Sequence, residues 1–342
     1  MKRQGRPRHK NIPVFIPHLG CPNDCVFCNQ RAISGRRFFD EREALAELDR
    51  AMATVTPEDE AEIAFFGGSF TAIDRDLMTR LLEYAYRYVK SGKASALRCS
   101  TRPDCIDEET VELLRRYGMK TVELGIQSAS DRVLAVTRRG HTAEDSVRAV
   151  GIIRAAGLDA VGQMMVGLPS STPDDEIMTA DMICDTGCVA ARIYPTVVFR
   201  GTRLEEMMKN GEYLPLGNEE AARRCAPLLE LFGSRGVDLL RVGLCASENL
   251  ASPDEVAAGA SHPAIGEMSL SEVFWRRECG AVESGGFAGA REIVINVPRG
   301  RTSAAVGLNR RNILRLREKY SIGRIKVLEK NGLIGYNIII TL

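Results

Sequence analysis

The apolar residues of this chain fall into short runs, separated by segments in which they recur every three or four positions. Six runs, "PVFIP", "EIAFFGG", "ALRCST", "TVELGIQ", "VGQMMVGLP" and "AARIYPTVVF", have the length and character of strands. Between them lie stretches such as "DEREALAELDRAMATV", "DEETVELLRRYG" and "TAEDSVRAVGIIRAAG", amphipathic at helical spacing, several with Asp or Thr at the start and Gly at the end. Six strand-helix units in succession predict an α/β fold with a parallel sheet, because parallel neighbours need a crossover connection. Downstream, "NEEAARRCAPLLELFGSRG" reads as a helix and "DLLRVGLC" as strand-like, and residues 246–289 are rich in Gly, Ser, Ala and Glu. The last segment, "EIVINVPRG", "NRRNILRLREKY", "IGRIKVLEK" and "LIGYNIIITL", reads strand, helix, strand, strand. The chain divides accordingly into a basic tail (1–10), a core (11–216), a helical and loop extension (217–285) and a small basic α+β domain (286–342).

In parallel sheets, function collects at the carboxyl ends of the strands. The unusual polar and glycine-rich clusters fall there: three cysteines follow the first strand, "GGS" the second, "STRPD" ends the third, "GIQS" the fourth and "GLPSST" the fifth. This placement points to one site assembled from many strand ends.

Composition bounds the class. The 342 residues are 44% hydrophobic and 27% charged, enough for a sizeable core. No apolar run approaches the roughly 18 residues of a membrane span, and "MKRQGRPRHK" lacks the apolar stretch of a signal peptide, so a cytoplasmic protein is expected. The net charge of +1 hides an asymmetry: residues 1–10 carry +5 and residues 291–342 carry +8, leaving −12 for the residues between. Basic ends on an acidic body suggest a polyanion partner.

Ten cysteines are present, and only Cys21, Cys25 and Cys28 cluster tightly, in "CPNDCVFC". The other seven read as small buried hydrophobes. Thiolates select zinc, copper(I) or iron-sulfur clusters. Three readings stand: a zinc site completed by His18, an incidental cluster of thiols, or a [4Fe-4S] cluster whose fourth iron is left open for chemistry. The spacing Cys-x3-Cys-x2-Cys with Phe27 before the last cysteine resembles the signature of the radical S-adenosylmethionine (SAM) superfamily. "GGS" is similar to its glycine-rich motif after the second strand, and "GIQS" and "GLP" resemble motifs of its coproporphyrinogen-oxidase and Elongator-like branches. "RIYPTVVFRGTRLEEM", "LLRVGL" and "SHPAIGE" resemble the radical SAM half of the Elongator catalytic-subunit family. The cysteine spacing differs from that family's, and the 342 residues are expected to hold the radical SAM half without the acetyltransferase domain.

The resemblance implies a partial (β/α)6 TIM-type barrel, with Cys21, Cys25 and Cys28 holding a [4Fe-4S] cluster and SAM bound at its open iron. An electron from ferredoxin or flavodoxin would cleave SAM to a 5'-deoxyadenosyl radical that abstracts hydrogen from the substrate. Around SAM it places Gly67 and Gly68, whose lack of Cβ permits close approach, although an ordinary strand-to-helix turn reads the same way. Glu123 and Gln127 are candidates for the ribose or amino group, with a structural barrel layer the plainer reading of Glu123. Ser100 and Arg102 end strand three, where the arginine suits the SAM carboxylate, as do Arg138 and Arg139. His141, His262 and Tyr194 are weighed between substrate contact and structural roles. The C-terminal unit places Arg310, Arg311, Arg315, Arg317 and Lys319 on or beside one helix, followed by Arg324 and Lys326. This resembles an RNA-binding module loosely of KH type, without a clear Gly-x-x-Gly loop, or else a solvated basic face. The functional expectation is a radical SAM enzyme acting on RNA, with tRNA the expected substrate; the alternatives are one acting on a small molecule, in the manner of coproporphyrinogen oxidase, or on a protein, and a non-catalytic iron-sulfur or zinc RNA-binding protein.

Overall fold

A computed structural model describes residues 8–16, 19, 21, 25–29, 39–244 and 254–342. The basic tail before residue 8 and His18 lie outside the described residues. Strand β1 (Arg8–Ile16) is followed by α1 (Glu41–Ala53), β2 (Asp59–Gly67), α2 (Arg75–Lys90), β3 (Ala96–Thr101), α3 (Glu108–Arg116) and β4 (Met119–Gln127). Two helices, α4 (Asp131–Val136) and α5 (Ala143–Ala155), lead to β5 (Asp159–Val166), α6 (Pro173–Asp185) and β6 (Ala190–Pro195). Helix starts follow the polar residues that the sequence puts there. Asp40 accepts from the Glu43 amide, and Thr142 and Thr172 form capping boxes with Asp145 and Asp175.

After β6 come β7 (Val197–Phe199), α7 (Arg203–Lys209), α8 (Asn218–Arg235) and β8 (Asp238–Val242). The main sheet is parallel throughout, in the order β1-β2-β3-β4-β5-β6-β8, a curled half-barrel of the TIM type. It has seven strands where the sequence pattern predicts six. The strand-like "DLLRVGLC" supplies the seventh, with α8 as its crossover, so the sheet continues past residue 216. The run "AARIYPTVVF" divides at Thr196, whose amide and hydroxyl both bond the Val166 carbonyl (2.9 and 2.8 Å), and β7 turns away to pair antiparallel with β9 (Val256–Gly259).

The period-2 alternation of the strands separates two faces. Ile63, Phe65, Leu97, Val122, Leu124 and Ile193 join the main core with apolar residues of the surrounding helices. The opposite, lumenal face carries Asn11, Glu62, Arg98, Glu123, Gln163 and Arg192, and is polar. Helix α9 (Ile265–Gly285) contributes Val273 to this core, and Phe274 and Val282 to a second one. That second core lies in a three-stranded sheet ordered β11-β10-β12, with β10 (Glu292–Val297) and β11 (Arg324–Glu329) parallel and β12 (Ile339–Thr341) antiparallel. Helices α10 (Thr302–Val306) and α11 (Arg311–Tyr320) connect β10 to β11. No helix among the described residues is long and apolar enough to cross a membrane.

Candidate active site

The cysteine segment is anchored to three parts of the barrel mouth. Where β1 ends, the Gly68 amide donates to Ile16 O (2.8 Å) and the Ser69 amide to Leu19 O (3.2 Å). Gly67 has φ +117°, and a Cβ added to Gly68 would stand 2.1 Å from Leu19 O. The glycine pair is therefore required by backbone packed on backbone, which seats the segment. On the far side, the Val26 amide bonds Thr137 O (3.2 Å), and Val26 O accepts from the Leu204 amide (2.8 Å). Val26 itself is buried with Val198, Leu204 and Tyr213. The Cys28 amide closes a turn on Cys25 O (3.0 Å), and Asn29 Nδ2 donates to Arg200 O (3.2 Å).

All three thiols are free of disulfides, Cys21 exposed and the other two half-buried. Cys21 Sγ lies 3.5 Å from Ser69 Oγ, and Cys25 Sγ accepts from Arg139 Nη1 at 3.2 Å. Arg139 is buried, with Nη2 on Gly125 O (2.7 Å), and its own carbonyl accepts from Arg102. Arg102 is also buried and grips both oxygens of Asp104 (3.0 and 2.9 Å). Burial works against its charge, but the Asp104 carboxylate outweighs this and holds the guanidinium above its ordinary pKa. His141 Nε2, 3.2 Å from Ile126 O, carries the proton it donates there; burial first and the Arg139 charge second push its pKa down to about 4, so the ring is neutral. Gln127 closes β4 with φ 66°, a conformation a side chain rarely adopts. Among the described residues its Oε1 and Arg102 Nη1 are buried without a hydrogen-bond partner.

Deeper in the lumen runs a continuous ion-pair layer. Glu123, fully buried, accepts from Arg98 Nη2 (2.7 Å), Arg192 Nε (2.7 Å) and Gln163 Nε2 (2.8 Å), and Arg98 Nη1 reaches Glu62 (2.9 Å). Burial raises the Glu123 pKa, yet the two arginines prevail and hold it below the usual carboxylate value. Ser100 joins through Gln163 Nε2 (3.4 Å). Glu123 is thus committed to a barrel layer, the plainer of its two sequence readings. Arg98, Gln163 and Arg192 escaped sequence reasoning, though each is a polar residue inside an apolar run at the period of Glu123.

The other candidates have structural partners or open surface. His262 accepts the Ala264 amide on Nδ1 (3.0 Å) and donates its own amide to Asn218 (3.1 Å). Arg138 is exposed. Tyr194 shares the lumenal face with Arg192, half-buried. Of the C-terminal cations, Arg311 pairs with Glu219 (2.6 Å), Arg315 with Glu272 (2.7 Å) while stacked on Trp275, and Lys319 with Glu283 (3.3 Å). Arg324 and Lys326 both meet Glu292, and Arg310 and Arg317 stand exposed. Of the scattered cysteines, Cys99, Cys188 and Cys225 are buried as expected, whereas Cys105, Cys184 and Cys279 are only half-buried and Cys245 lies outside the described residues; burial pushes Cys188 up to about 11 and Cys225 to about 12.

No three His, Cys, Asp or Glu side chains among the described residues converge as ligands of a single metal ion do. A cluster spreads its ligands over several irons, and three thiols outside any disulfide, one of them accepting from Arg139, beside the buried Gln127 Oε1 and Arg102 Nη1 suit it.

The profile of the Radical SAM superfamily matches residues 15–183, and that of the Radical SAM C-terminal domain matches residues 189–273. The tRNA uridine(34) acetyltransferase of Methanocaldococcus infernus is 30% identical over 251 residues, which are 61% of this chain and 47% of that protein. Elongator complex protein 3 of Homo sapiens is 28% identical over 264 residues, 64% of this chain and 48% of its own length. The chain spans about half the length of these two relatives. The solved structure of archaeal Methanocaldococcus infernus Elp3 shares the fold, with a TM-score of 0.61 at 23% identity, covering 83% of this chain and 66% of that one.

Proposed function

The chain belongs to the radical SAM superfamily of enzymes, and from this we propose that Cys21, Cys25 and Cys28 hold a [4Fe-4S] cluster in an enzyme that modifies tRNA. The observation that carries the reading is the cysteine segment seated at the carboxyl end of the parallel sheet, with Cys25 Sγ bonded by Arg139. When bound, the cluster would supply an open iron for SAM and the electron, drawn from ferredoxin or flavodoxin, that splits SAM into methionine and a 5'-deoxyadenosyl radical.

The protein's own part is binding, orientation and exclusion of water. Gly67 and Gly68 set the cysteine segment against β1. Ser100, Gln127 Oε1 and Arg102 Nη1, polar groups at the ends of β3 and β4, are the contacts proposed for SAM. Glu123 sits below them, fixing β3, β4 and β6 in register through Arg98 and Arg192. Neutral His141 braces the end of β4 through Ile126 O without adding charge beside the thiols.

Likeness to a tRNA uridine(34) acetyltransferase and to Elongator complex protein 3 supports tRNA as substrate. Against it stands the C-terminal unit, where five cations are paired with four carboxylates; this favours, as a second reading, a small-molecule substrate. Anaerobic reconstitution with iron and sulfide, followed by reduction with SAM, should release 5'-deoxyadenosine, and Cys25→Ala should abolish it; a variant that still makes it would show that the cluster lies elsewhere. Binding of tRNA should weaken by roughly 0.7–0.9 log unit per phosphate contact for each tenfold rise in salt. Absent or salt-insensitive binding sinks the tRNA reading in favour of the small molecule.

A further inference from the structure

The cations of the C-terminal unit fall into two groups. Those on α11 and β11 that meet Glu219, Glu272, Glu283 and Glu292 are neutralised in place. A second group collects at the carboxyl end of the small sheet. Parallel β10 and β11 finish side by side at Val297 and Glu329, and antiparallel β12 starts at Ile339, beyond Asn296. The turn 298–301 and the segment 330–338 therefore meet at one end. Arg299 and Lys330 stand exposed there and Arg301 half-buried, and among the described residues none of the three makes an ion pair or side-chain hydrogen bond. Glu329, the carboxylate at this end, accepts from the Gly300 amide (2.9 Å) and the Thr302 hydroxyl (3.4 Å). Alongside, a cavity of about 310 Å³ is lined by Arg276, Arg277, Gly280, Ala281, Asn337 and Ile338. Its two arginines share a single carboxylate, Glu230 (3.3 and 2.6 Å), and their side chains are 55% and 46% exposed. Tyr336 joins the two places: its ring packs edge-on against Phe274, and its hydroxyl lies within electrostatic reach of both Arg301 and Glu230. Five cations thus face solvent around two carboxylates, Glu230 and Glu329.

We propose that this end of the small sheet is the surface on which the enzyme grips the sugar-phosphate backbone of its RNA substrate, with one phosphate seated in the cavity beside Arg276 and Arg277. The inference rests on the reading of tRNA as substrate, and it moves the contact from the basic helix that the sequence puts forward to the sheet end. Arginine and lysine contacts to phosphate fix a nucleic acid in place without reading its bases. Arg299, Arg301 and Lys330 break no ion pair in making them, whereas each paired cation of α11 would have to leave its carboxylate. A cavity of this volume sits at the lower end of the roughly 300–1,000 Å³ of ligand sites, enough for one backbone unit.

The test uses the full chain and follows tRNA binding by fluorescence anisotropy across a tenfold range of salt. In Arg299→Gln/Arg301→Gln/Lys330→Gln the slope of log affinity against log salt should become shallower by roughly two units, at about 0.7–0.9 for each lost phosphate contact. Arg276→Gln should remove about one contact. Arg310→Gln/Arg317→Gln, changing the exposed cations on and beside α11, should leave affinity and slope as they are. An unchanged slope in the triple variant overturns the proposal, as does a loss confined to Arg310→Gln/Arg317→Gln, which would place the RNA on the helix. If the triple variant does not fold, Arg299→Gln alone decides: a slope shallower by one contact supports the proposal and an unaltered slope overturns it. Binding to phosphatidylserine vesicles but not to tRNA, lost in the triple variant, would assign the surface to a membrane and overturn it too. An unaltered protein that binds no tRNA would sink the substrate reading itself, whereas tRNA binding that survives intact in the triple variant sinks this surface alone.

Discussion

Glu278 gives the sharpest test of the packing between the two cores. It lies on α9, fully buried, and among the described residues neither carboxylate oxygen has a hydrogen-bond partner. Burial raises its pKa well above the ordinary 4.5; the nearby charge of Arg315 lowers it only partly, since that guanidinium donates to Glu272 (2.7 Å). The folded state therefore keeps a proton that the unfolded chain releases, and the native protein binds more protons between the ordinary carboxylate value and the raised one. Across that window stability falls as pH rises, by up to about 1.4 kcal/mol per pH unit. Glu278→Gln removes the titration and leaves an uncharged polar group of similar shape. Denaturant unfolding at several pH values from 5 to 8 should show the two proteins nearly equal at pH 5 and the variant increasingly more stable above it. Glu278→Met, which also removes the unsatisfied polar atoms, should be more stable at every pH by about 1–3 kcal/mol. Parallel curves for the unaltered protein and Glu278→Gln would refute the reasoning, because they would mean that the carboxyl titrates alike folded and unfolded.

Three further outcomes follow from named contacts. Glu123→Ala removes the buried carboxylate shared by Arg98 and Arg192 and should cost about 3–5 kcal/mol in denaturant unfolding, the range for breaking a buried ion pair; a loss below 1 kcal/mol would show that water screens the layer. In Gly68→Ala the new Cβ meets Leu19 O, so the cysteine segment must shift; iron uptake on reconstitution should fall severalfold while the melting of the barrel changes little, and normal uptake would contradict the seating described. His141, with its pKa pushed down to about 4, loses folded-state stability as pH falls from its ordinary 6.5 toward that value. His141→Gln should flatten the stability profile across that window, and an unchanged profile would place the acid sensitivity elsewhere.

Much of the architecture was legible because its signals are local. Period-2 runs, helical spacing and caps such as Thr142 with Asp145 depend on neighbours within one turn or one strand, and they predicted the first six strands and their crossovers. The seventh strand was read as strand-like and assigned to an extension. Its residues Asp238–Val242 lie on the sheet edge and carry little apolar burial, so nothing local tied them to β6. In the site, the cysteine spacing stood out, whereas Arg98 and Arg192 did not: a charge within an apolar run has no meaning until its partner is known, and Glu123 is 25 and 69 residues away from them.

The chain's own order of residues determined the strand-helix repeat, the three grouped thiols and the collection of glycine and polar clusters at strand ends, since each depends on contacts close in sequence. Tertiary structure alone decided that Glu123 faces two arginines, that Gly67 and Gly68 serve the backbone of β1, that five of the C-terminal cations meet carboxylates, and that Arg139 reaches Cys25 across 114 residues. These facts turn on which side chains share a low-dielectric space. Closing the sheet fixes that, and sequence distance does not.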